Sequence, residues 1–272
     1  MAEKDALPDP DETAERVLTR ASVSEIPVDV KKLAACWDNL KIVREAIDGP
    51  GYLLPLGRLG GEIIVNTNDP LERQRFTIAH ELGHWVLGRI WENKTGEFKQ
   101  PPGVRHESLE RWCDHFAASL LMPRTQILER FSELKDPGLI NRLVHAPVEF
   151  QVSEDAFFIR IWEVLCVQIA IIERRGWRDQ EPARVVRSWG DEKARSVLQS
   201  VLENRDLDNE IRAPFFFFTA HSGRSRLACS GKYIEHARGK AILALANISS
   251  EQARQGHQDR VDPQHAKLSR EL

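Results

Sequence analysis

The segment from His80 to His84 reads His-Glu-Leu-Gly-His, with two histidines four residues apart and a glutamate directly after the first. On an α-helix, side chains at positions i and i+4 lie one above the other on the same face, so both imidazoles can bind one metal ion. Zinc is the usual metal at this spacing, and the glutamate is the usual general base of a hydrolytic reaction. The sequence therefore predicts a Zn²⁺ site with His80 and His84 as ligands and Glu81 as catalytic base.

The surrounding helix is amphipathic, and its apolar residues indicate where the histidines should lie. A broad apolar arc is formed by Leu71, Phe76, Ile78, Ala79, Leu82, Trp85, Val86 and Leu87. The border of this arc falls beside His80 and His84, which predicts that both side chains lie half-buried at the edge of the core. A metal site in a cleft requires such an edge, whereas a pair that only faced solvent would lie opposite the arc.

A catalytic zinc usually takes three protein ligands and leaves a fourth position for water, so a third ligand must come from elsewhere in the fold. Glu110 is the candidate, because it projects within the apolar face of a predicted helix from Glu107 to Leu121. A carboxylate there is expected to be buried, and a metal ion supplies the partner that a buried charge needs. The competing ligands near this face are His106, Glu107, Asp114 and His115. Asp114 is alternatively an acceptor that orients a ligating imidazole.

The helices and strands around the motif are predicted from capping residues, from prolines and glycines, and from the periodicity of hydrophobic residues. The helix that carries the histidines is expected to begin with Asp69 as N-cap, Pro70 in the first position and Glu72 in the third, and to end at Gly88. Before it, the segment from Lys41 to Asn66 reads as strands joined by a glycine-containing hairpin, which predicts a small antiparallel sheet. After it, a polar stretch over 89–105 is a candidate wall of a substrate cleft.

The chain is long enough for two domains, and its pattern changes near residue 165. We predict a disordered N-terminus over 1–10, a mainly helical domain over 11–165, a smaller mixed α/β domain over 166–250 and a flexible tail over 251–272. In the second domain VQIAIIE, FFFFTA and AILALANI read as strands, and DEKARSVLQSVLE reads as a helix. The predicted fold class is therefore α+β.

The amino-acid composition and the hydrophobic pattern bear on whether the chain binds nucleic acid, is secreted or crosses a membrane. Lysine and arginine number 38 against 41 aspartates and glutamates, and this formal charge of −3 gives no sign of direct nucleic-acid binding. The N-terminus is acidic and contains proline where a secretory signal would be basic and then apolar. The longest apolar run, Val164 to Ile172, has nine residues with Gln168 among them, well below the roughly 20 that cross a bilayer. We expect a cytoplasmic chain without a membrane partner, and the oligomeric state is left open.

The cysteines give no sign of a disulfide framework or of a cysteine-based zinc site. Cys36, Cys113, Cys166 and Cys229 are widely spaced and form no CxxC pair. This usage is typical of reduced core thiols in a cytosolic protein.

Two segments carry a resemblance to a known family. QRFTIAHELGH, from Gln74 to His84, and ERWCDHFAASLLMP, from Glu110 to Pro123, resemble the ImmA/IrrE family of gluzincin-like zinc metalloendopeptidases. GYLLPLGRLGGEIIVN and FQVSEDAFFIRI are also similar to that family, so the resemblance covers about residues 12–165. The sequence departs from the family pattern at Cys113, where alanine is usual, and at Asp114, where asparagine is frequent.

The resemblance implies a zincin-like domain with zinc on His80, His84 and Glu110 and with Glu81 as base. Members of the family cleave helix-turn-helix repressors, which releases genes controlled by DNA damage, stress or mobile elements. Some relatives carry a GAF-like sensor after the peptidase domain, which suggests a sensory role for the C-terminal domain by analogy. Two other functions remain open: a regulatory protein that docks a repressor or partner without cleaving it, and a toxin-like or metabolic zinc hydrolase with a small substrate.

The group that stabilises the oxyanion is not identified by the sequence. Tyr52, His106 and His115 are the candidates, because each can donate a hydrogen bond to a developing negative charge.

Overall fold

In the computed structural model, the described residues are 7–57, 60–133, 136, 138–173, 184–190, 199, 215–222, 225–236 and 239–249. Residues 1–6, most of the predicted helix over 191–203 and the predicted tail over 251–272 lie outside these ranges. By its backbone contacts the chain divides into two compact units, and among the described residues the first contains 7–126 and 148–153. The second contains 127–147 and 154–249. The domain boundary near residue 165 stays a prediction.

The first unit begins with two capped helices. α1 (Pro10–Arg20) has Asp9 as N-cap, whose carboxylate accepts a hydrogen bond from the Glu12 N–H. α2 (Val30–Ala35) is capped in the same way by Asp29. A carboxylate in this position satisfies backbone donors that the first helical turn leaves unpaired.

A three-stranded sheet follows, with strand order β1-β3-β2. β2 (Tyr52–Pro55) and β3 (Gly61–Asn66) form the predicted antiparallel hairpin, but β1 (Leu40–Glu45) runs parallel to β3 on its other side. The prediction of an antiparallel sheet is therefore wrong, and the sheet is mixed.

The connection between β1 and β2 explains this topology. The buried Asn66 side chain donates hydrogen bonds of 2.9 and 2.8 Å to the carbonyls of Ile47 and Gly49. These bonds hold the connection at the end of β3, and the chain then enters β2 on the far side. Gly51 makes this entry possible, since a Cβ there would lie 2.3 Å from the carbonyl oxygen of Ile64.

α3 (Leu71–Thr95) carries the histidine pair and is longer than predicted. Its N-cap is Pro70, without a side-chain cap, because Asp69 forms an ion pair with Arg73 instead. The predicted end at Gly88 is also wrong, and the helix stops at Gly96, whose φ of 75° is left-handed. Gly88 serves close packing rather than termination, since a Cβ there would lie 2.4 Å from the ring of Phe98.

α4 (His106–Leu121) begins one residue before the predicted start and packs against α3. The helices approach closely at Gly83, where a Cβ would lie 3.1 Å from the Phe116 ring and 3.3 Å from the Cys113 sulfur. On its other side α4 packs against α1, and the Trp112 indole N–H donates a 2.6 Å hydrogen bond to the Pro8 carbonyl. α4 is thereby fixed from two directions, which positions Glu110 relative to α3.

Beyond α4, the described residues form three helices and a second sheet. The helices are α5 (Arg124–Phe131), α6 (Leu139–Phe150) and α7 (Glu154–Leu165). The strands are β4 (Gln168–Glu173), β5 (Arg184–Trp189), β6 (Phe215–Ser222), β7 (Ser225–His236) and β8 (Gly239–Ser249). They form an antiparallel sheet in the order β5-β4-β8-β7-β6. The fold class α+β is confirmed. No helix among the described residues combines the length and the apolar character that crossing a membrane requires.

Candidate metal centre

His80 and His84 lie one turn apart on α3 with their ring nitrogens turned towards each other. The two Nε2 atoms are 3.2 Å apart, and each side chain keeps only 14% of its surface exposed. The half-buried position predicted from the apolar arc is therefore the position found. Both histidines lie well inside α3, far from its ends, so a regular helix holds the pair in place.

Glu110 projects from α4 towards the same point. Its Oε2 lies 3.2 Å from His80 Nε2, and its Oε1 lies 3.4 Å from His84 Nε2. A tetrahedral zinc with bonds of about 2.0–2.1 Å keeps its ligand atoms about 3.3 Å apart, so the spacing of the two nitrogens and the carboxylate fits such an ion.

The burial of Glu110 differs from the expectation. Its side chain is 37% exposed, because it lies at the solvent-facing edge where α3 and α4 meet and not within the apolar contact between them. The carboxylate also lies 3.5 Å from Nδ1 of His106, which is itself 83% exposed at the start of α4. An open edge leaves room for a water molecule and for a substrate beside the ligands.

Asp114 orients one of the imidazoles. Its Oδ1 lies 2.9 Å from Nδ1 of His80. An ionised carboxylate only accepts hydrogen bonds, so Nδ1 carries the proton and the lone pair of Nε2 is left towards His84 and Glu110. This is the outer-shell arrangement that commonly fixes a metal-binding histidine.

Glu81 lies next to His80 and is held by the edge strand of the small sheet. The backbone N–H of Leu53 in β2 donates a 2.9 Å hydrogen bond to Glu81 Oε2. Burial raises the pKa of the Glu81 carboxyl to about 7, against the lowering effects of His80 and of the Leu53 N–H, and the Glu110 charge raises it further. Sequence reasoning missed Leu53, since a backbone donor leaves no signal in residue type.

The pKa values of the two histidines are shifted in opposite directions. Burial lowers the pKa of His80, but the hydrogen bond to Asp114 and the charges of Glu81, Asp114 and Glu110 outweigh it, so the pKa is raised. Burial and the neighbouring His80 lower the pKa of His84. The surroundings therefore stabilise a positive charge better on His80 than on His84.

Cys113 is a second donor beside the histidines. Its sulfur and one nitrogen each of His80 and His84 all lie within 4.8 Å of one another, and Cys113 is completely buried. Burial raises the pKa of its thiol strongly, and the charges of Glu110, Glu81 and Asp114 raise it further. The Glu110 oxygens lie 3.2 and 3.4 Å from the two Nε2 atoms, and a carboxylate, unlike a thiol, ordinarily needs no deprotonation to bind a metal at neutral pH.

The other residues predicted as competing ligands or as oxyanion donors lie at different places around the histidine pair. His115 lies on the α1 side of α4, with Nε2 3.5 Å from Asp11 Oδ2. Glu107 is exposed at the start of α4, and Tyr52, which is half exposed, precedes Leu53 on β2. The structure thus brings His106 and Asp114 to the centre and turns His115 towards α1.

The segment between α3 and α4 folds back along α3. The first part of the predicted polar stretch is helical as far as Thr95. Beyond it, the Phe98 ring lies 5.0 Å from that of Trp85, and Gln100 Nε2 donates a 3.1 Å hydrogen bond to the His84 carbonyl. Sequence reasoning assigned no role to Phe98 or Gln100, although Gly88 marks the space that the ring fills.

Comparison with known proteins gives three findings. Residues 40–161 match the sequence model of the IrrE N-terminal-like domain, peptidase family M78. The chain is 38% identical over 73 residues to the radiation response metalloprotease IrrE of Deinococcus radiodurans, which covers 25% of this chain and 22% of that protein. The chain thus spans about a fifth of the length of that relative. A Mycobacterium tuberculosis transcriptional regulator of known structure superposes with a TM-score of 0.49 at 11% identity, over 97% of this chain and 81% of the other.

Proposed function

We propose that this chain is a zinc-dependent endopeptidase, since residues 40–161 match the sequence model of the IrrE N-terminal-like domain, peptidase family M78. The observation that carries the proposal is the triangle of His80 Nε2, His84 Nε2 and the Glu110 carboxylate, with sides of 3.2, 3.2 and 3.4 Å. Two imidazoles and one carboxylate are a donor set of catalytic zinc sites.

In this proposal His80, His84 and Glu110 hold the ion, and Asp114 fixes the ring of His80 in the tautomer that presents Nε2. A bound zinc ion supplies Lewis acidity, which acidifies water and polarises a peptide carbonyl. The half-exposed position of Glu110 leaves the centre accessible to a polypeptide from the solvent side.

Glu81 is the proton carrier in this proposal. Its carboxylate takes a proton from the attacking water and later delivers it to the nitrogen of the leaving amine, so that the hydrolysis balances. The hydrogen bond from Leu53 fixes Oε2 and leaves Oε1 for this exchange. His106 and Tyr52 remain the candidates for stabilising the oxyanion, because both lie exposed on the elements that bear Glu110 and Leu53.

We further propose that the substrate is a protein, namely a cytoplasmic helix-turn-helix repressor whose cleavage releases stress or mobile-element genes. The family resemblance supports this substrate class, and the Deinococcus relative is described as a metalloprotease of a radiation response. The formal charge of −3 also favours a protein partner over direct binding of nucleic acid.

The test is incubation of the full chain with the repressor encoded beside its gene, with and without a chelator, followed by mass spectrometry of the fragments. Zinc-dependent cleavage at a defined bond is the expected result, and the Glu81→Gln variant is the matched inactive control. Binding without cleavage would overturn the peptidase proposal and would favour a protein that docks the repressor. Cleavage that persists with chelator would overturn the role of the metal.

A further inference from the structure

Cys113 lies beside the histidine pair, on the helix that also bears Glu110. Its sulfur shares a 4.8 Å cluster with a nitrogen of His80 and a nitrogen of His84, and its side chain is completely buried. Gly83, between the two histidines on α3, leaves the space that the thiol occupies, since a Cβ there would lie 3.3 Å from the sulfur. The thiol therefore faces the same gap between α3 and α4 as the imidazoles.

Glu110 and Cys113 are three residues apart on α4, so they lie on neighbouring positions of one helix face. One is a hard carboxylate that is partly exposed, and the other is a soft sulfur donor that is buried. Thiolates favour soft ions, whereas carboxylates favour hard ones. The same histidine pair is thus flanked by two alternative third donors of opposite preference.

We propose that His80, His84 and Cys113 form a binding site for thiophilic metal ions such as Cd²⁺, in which the Cys113 sulfur replaces the Glu110 carboxylate. On binding, the S–H bond of Cys113 breaks, an S–Cd bond forms and the proton leaves to solvent. This inference rests on the metal site of the proposed function but not on proteolysis. Cys113 is thereby a selectivity determinant of the centre and more than a packing residue.

Cys36 and Cys166 lack this setting. Cys36 donates its thiol hydrogen to the Leu33 carbonyl at 3.0 Å, and Cys166 is exposed. A buried cysteine often acts as a small apolar group, and alanine would serve that purpose at residue 113. The two imidazole nitrogens beside the sulfur are what distinguish Cys113 from a packing thiol.

The test uses the reduced, metal-free full chain titrated with Cd²⁺ while the thiolate-to-metal charge-transfer absorption is recorded. A variant with Cys36, Cys166 and Cys229 changed to alanine should keep the absorption of one thiolate at one equivalent. Cys113→Ala should lose it and should lower the preference for Cd²⁺ over Zn²⁺ by about tenfold or more. Glu110→Gln, which removes a direct ligand, should lower zinc affinity by more than the roughly 10–100-fold that the loss of an outer-shell partner costs, and it should keep the Cd²⁺ absorption.

Absorption that persists in Cys113→Ala, or that disappears in the triple variant, would overturn the proposal. X-ray absorption of the Cd²⁺-loaded triple variant gives an answer without any change at residue 113, since one sulfur neighbour is expected and none would contradict it. If zinc binds the wild type but no Cd²⁺–thiolate signal appears, this inference alone fails. If zinc itself does not bind, the proposed function fails.

Discussion

The carboxylate of Glu81 accepts a 2.9 Å hydrogen bond from the backbone N–H of Leu53. One partner lies on the helix that bears the histidines, and the other lies on the edge strand of the small sheet. The bond therefore joins the proposed catalytic base on α3 to the edge strand β2. It restricts the rotation of a carboxylate that must face the metal centre, and it favours the charged form that accepts a proton.

We predict that Glu81→Gln retains zinc but lowers peptide cleavage by about 10²–10⁴-fold, because an amide keeps the shape of the side chain but cannot accept the proton of water. Metal content by mass spectrometry and single-turnover cleavage of the repressor measure the two properties separately. Glu72→Gln is the matched control, since Glu72 is exposed at the start of the same helix. Full activity of Glu81→Gln would contradict the role assigned to Glu81.

Leu53→Pro tests the backbone donor. Proline lacks an N–H, and an edge strand accepts it where the N–H points away from the ladder, so the change removes the hydrogen bond to Glu81. Leu53→Ala is the control, because it also removes the leucine side chain but keeps the backbone N–H. We expect lower turnover in Leu53→Pro than in Leu53→Ala, with the acidic limb of the pH–rate profile shifted upwards. Identical profiles of the two variants would show that the bond does not act on Glu81.

The local part of the candidate site could be predicted from the sequence. The i, i+4 spacing of His80 and His84 is a property of one helix, and the apolar arc correctly placed both side chains at its border. The apolar face of a second helix indicates Glu110 as a third ligand, but it predicts a buried side chain where the structure has one that is 37% exposed. Amphipathic periodicity gives the direction of a side chain, whereas its exposure depends on how far the partner helix extends over it.

The non-local part could not be predicted. The Leu53 donor belongs to the backbone, and Cys113 has the composition of an ordinary core residue until α3 places two imidazoles beside it. The parallel pairing of β1 with β3 was missed because neighbours in sequence favour a hairpin, while the buried Asn66 side chain directs the connection past the end of β3. Gly88 was read as a helix end, although its role is to admit the Phe98 ring.

Asp114→Ala should lower zinc affinity by about 10-fold, at the low end of the range for outer-shell partners of metal ligands, because Asp114 is 57% exposed. Asp114→Asn should lose less, since its amide oxygen still accepts the hydrogen bond from His80 Nδ1. Competition with a fluorescent zinc chelator measures both affinities, and Glu107→Gln serves as a control on the same helix. Equal losses for alanine and asparagine would contradict an orienting role.

Removal of the metal should lower stability as well as activity. A ligand that binds only the folded state stabilises it by about 2.7 kcal/mol when its free concentration is 100 times Kd. We therefore expect a chelator to lower the melting temperature of the wild type and added zinc to restore it. The His84→Ala variant should melt at the same temperature with and without chelator. A chelator-dependent shift in that variant would place the bound metal elsewhere.

The contribution of Glu81 to the stability of the metal-free protein should fall as the pH rises towards neutrality. Burial raises the pKa of Glu81 from 4.5 to about 7, so between these values the folded state binds a proton at Glu81 that the unfolded state has released. The contribution of Glu81 to the free energy of unfolding then falls as the pH rises through this window, because stability decreases with pH wherever the folded state binds more protons.

The measurement is denaturant unfolding of the metal-free wild type and of metal-free Glu81→Gln at several pH values from about 4.5 to about 7.5, a range that spans both pKa values of Glu81. His80 and His84 titrate in the same range but are present in both proteins, so their contributions largely cancel in the difference. The advantage of the wild type over the variant should be greatest at the acidic end and should decline towards neutral pH. Parallel stability curves would mean that Glu81 stays ionised in the folded protein, in which case the bond from Leu53 and the charge of His80 outweigh its burial.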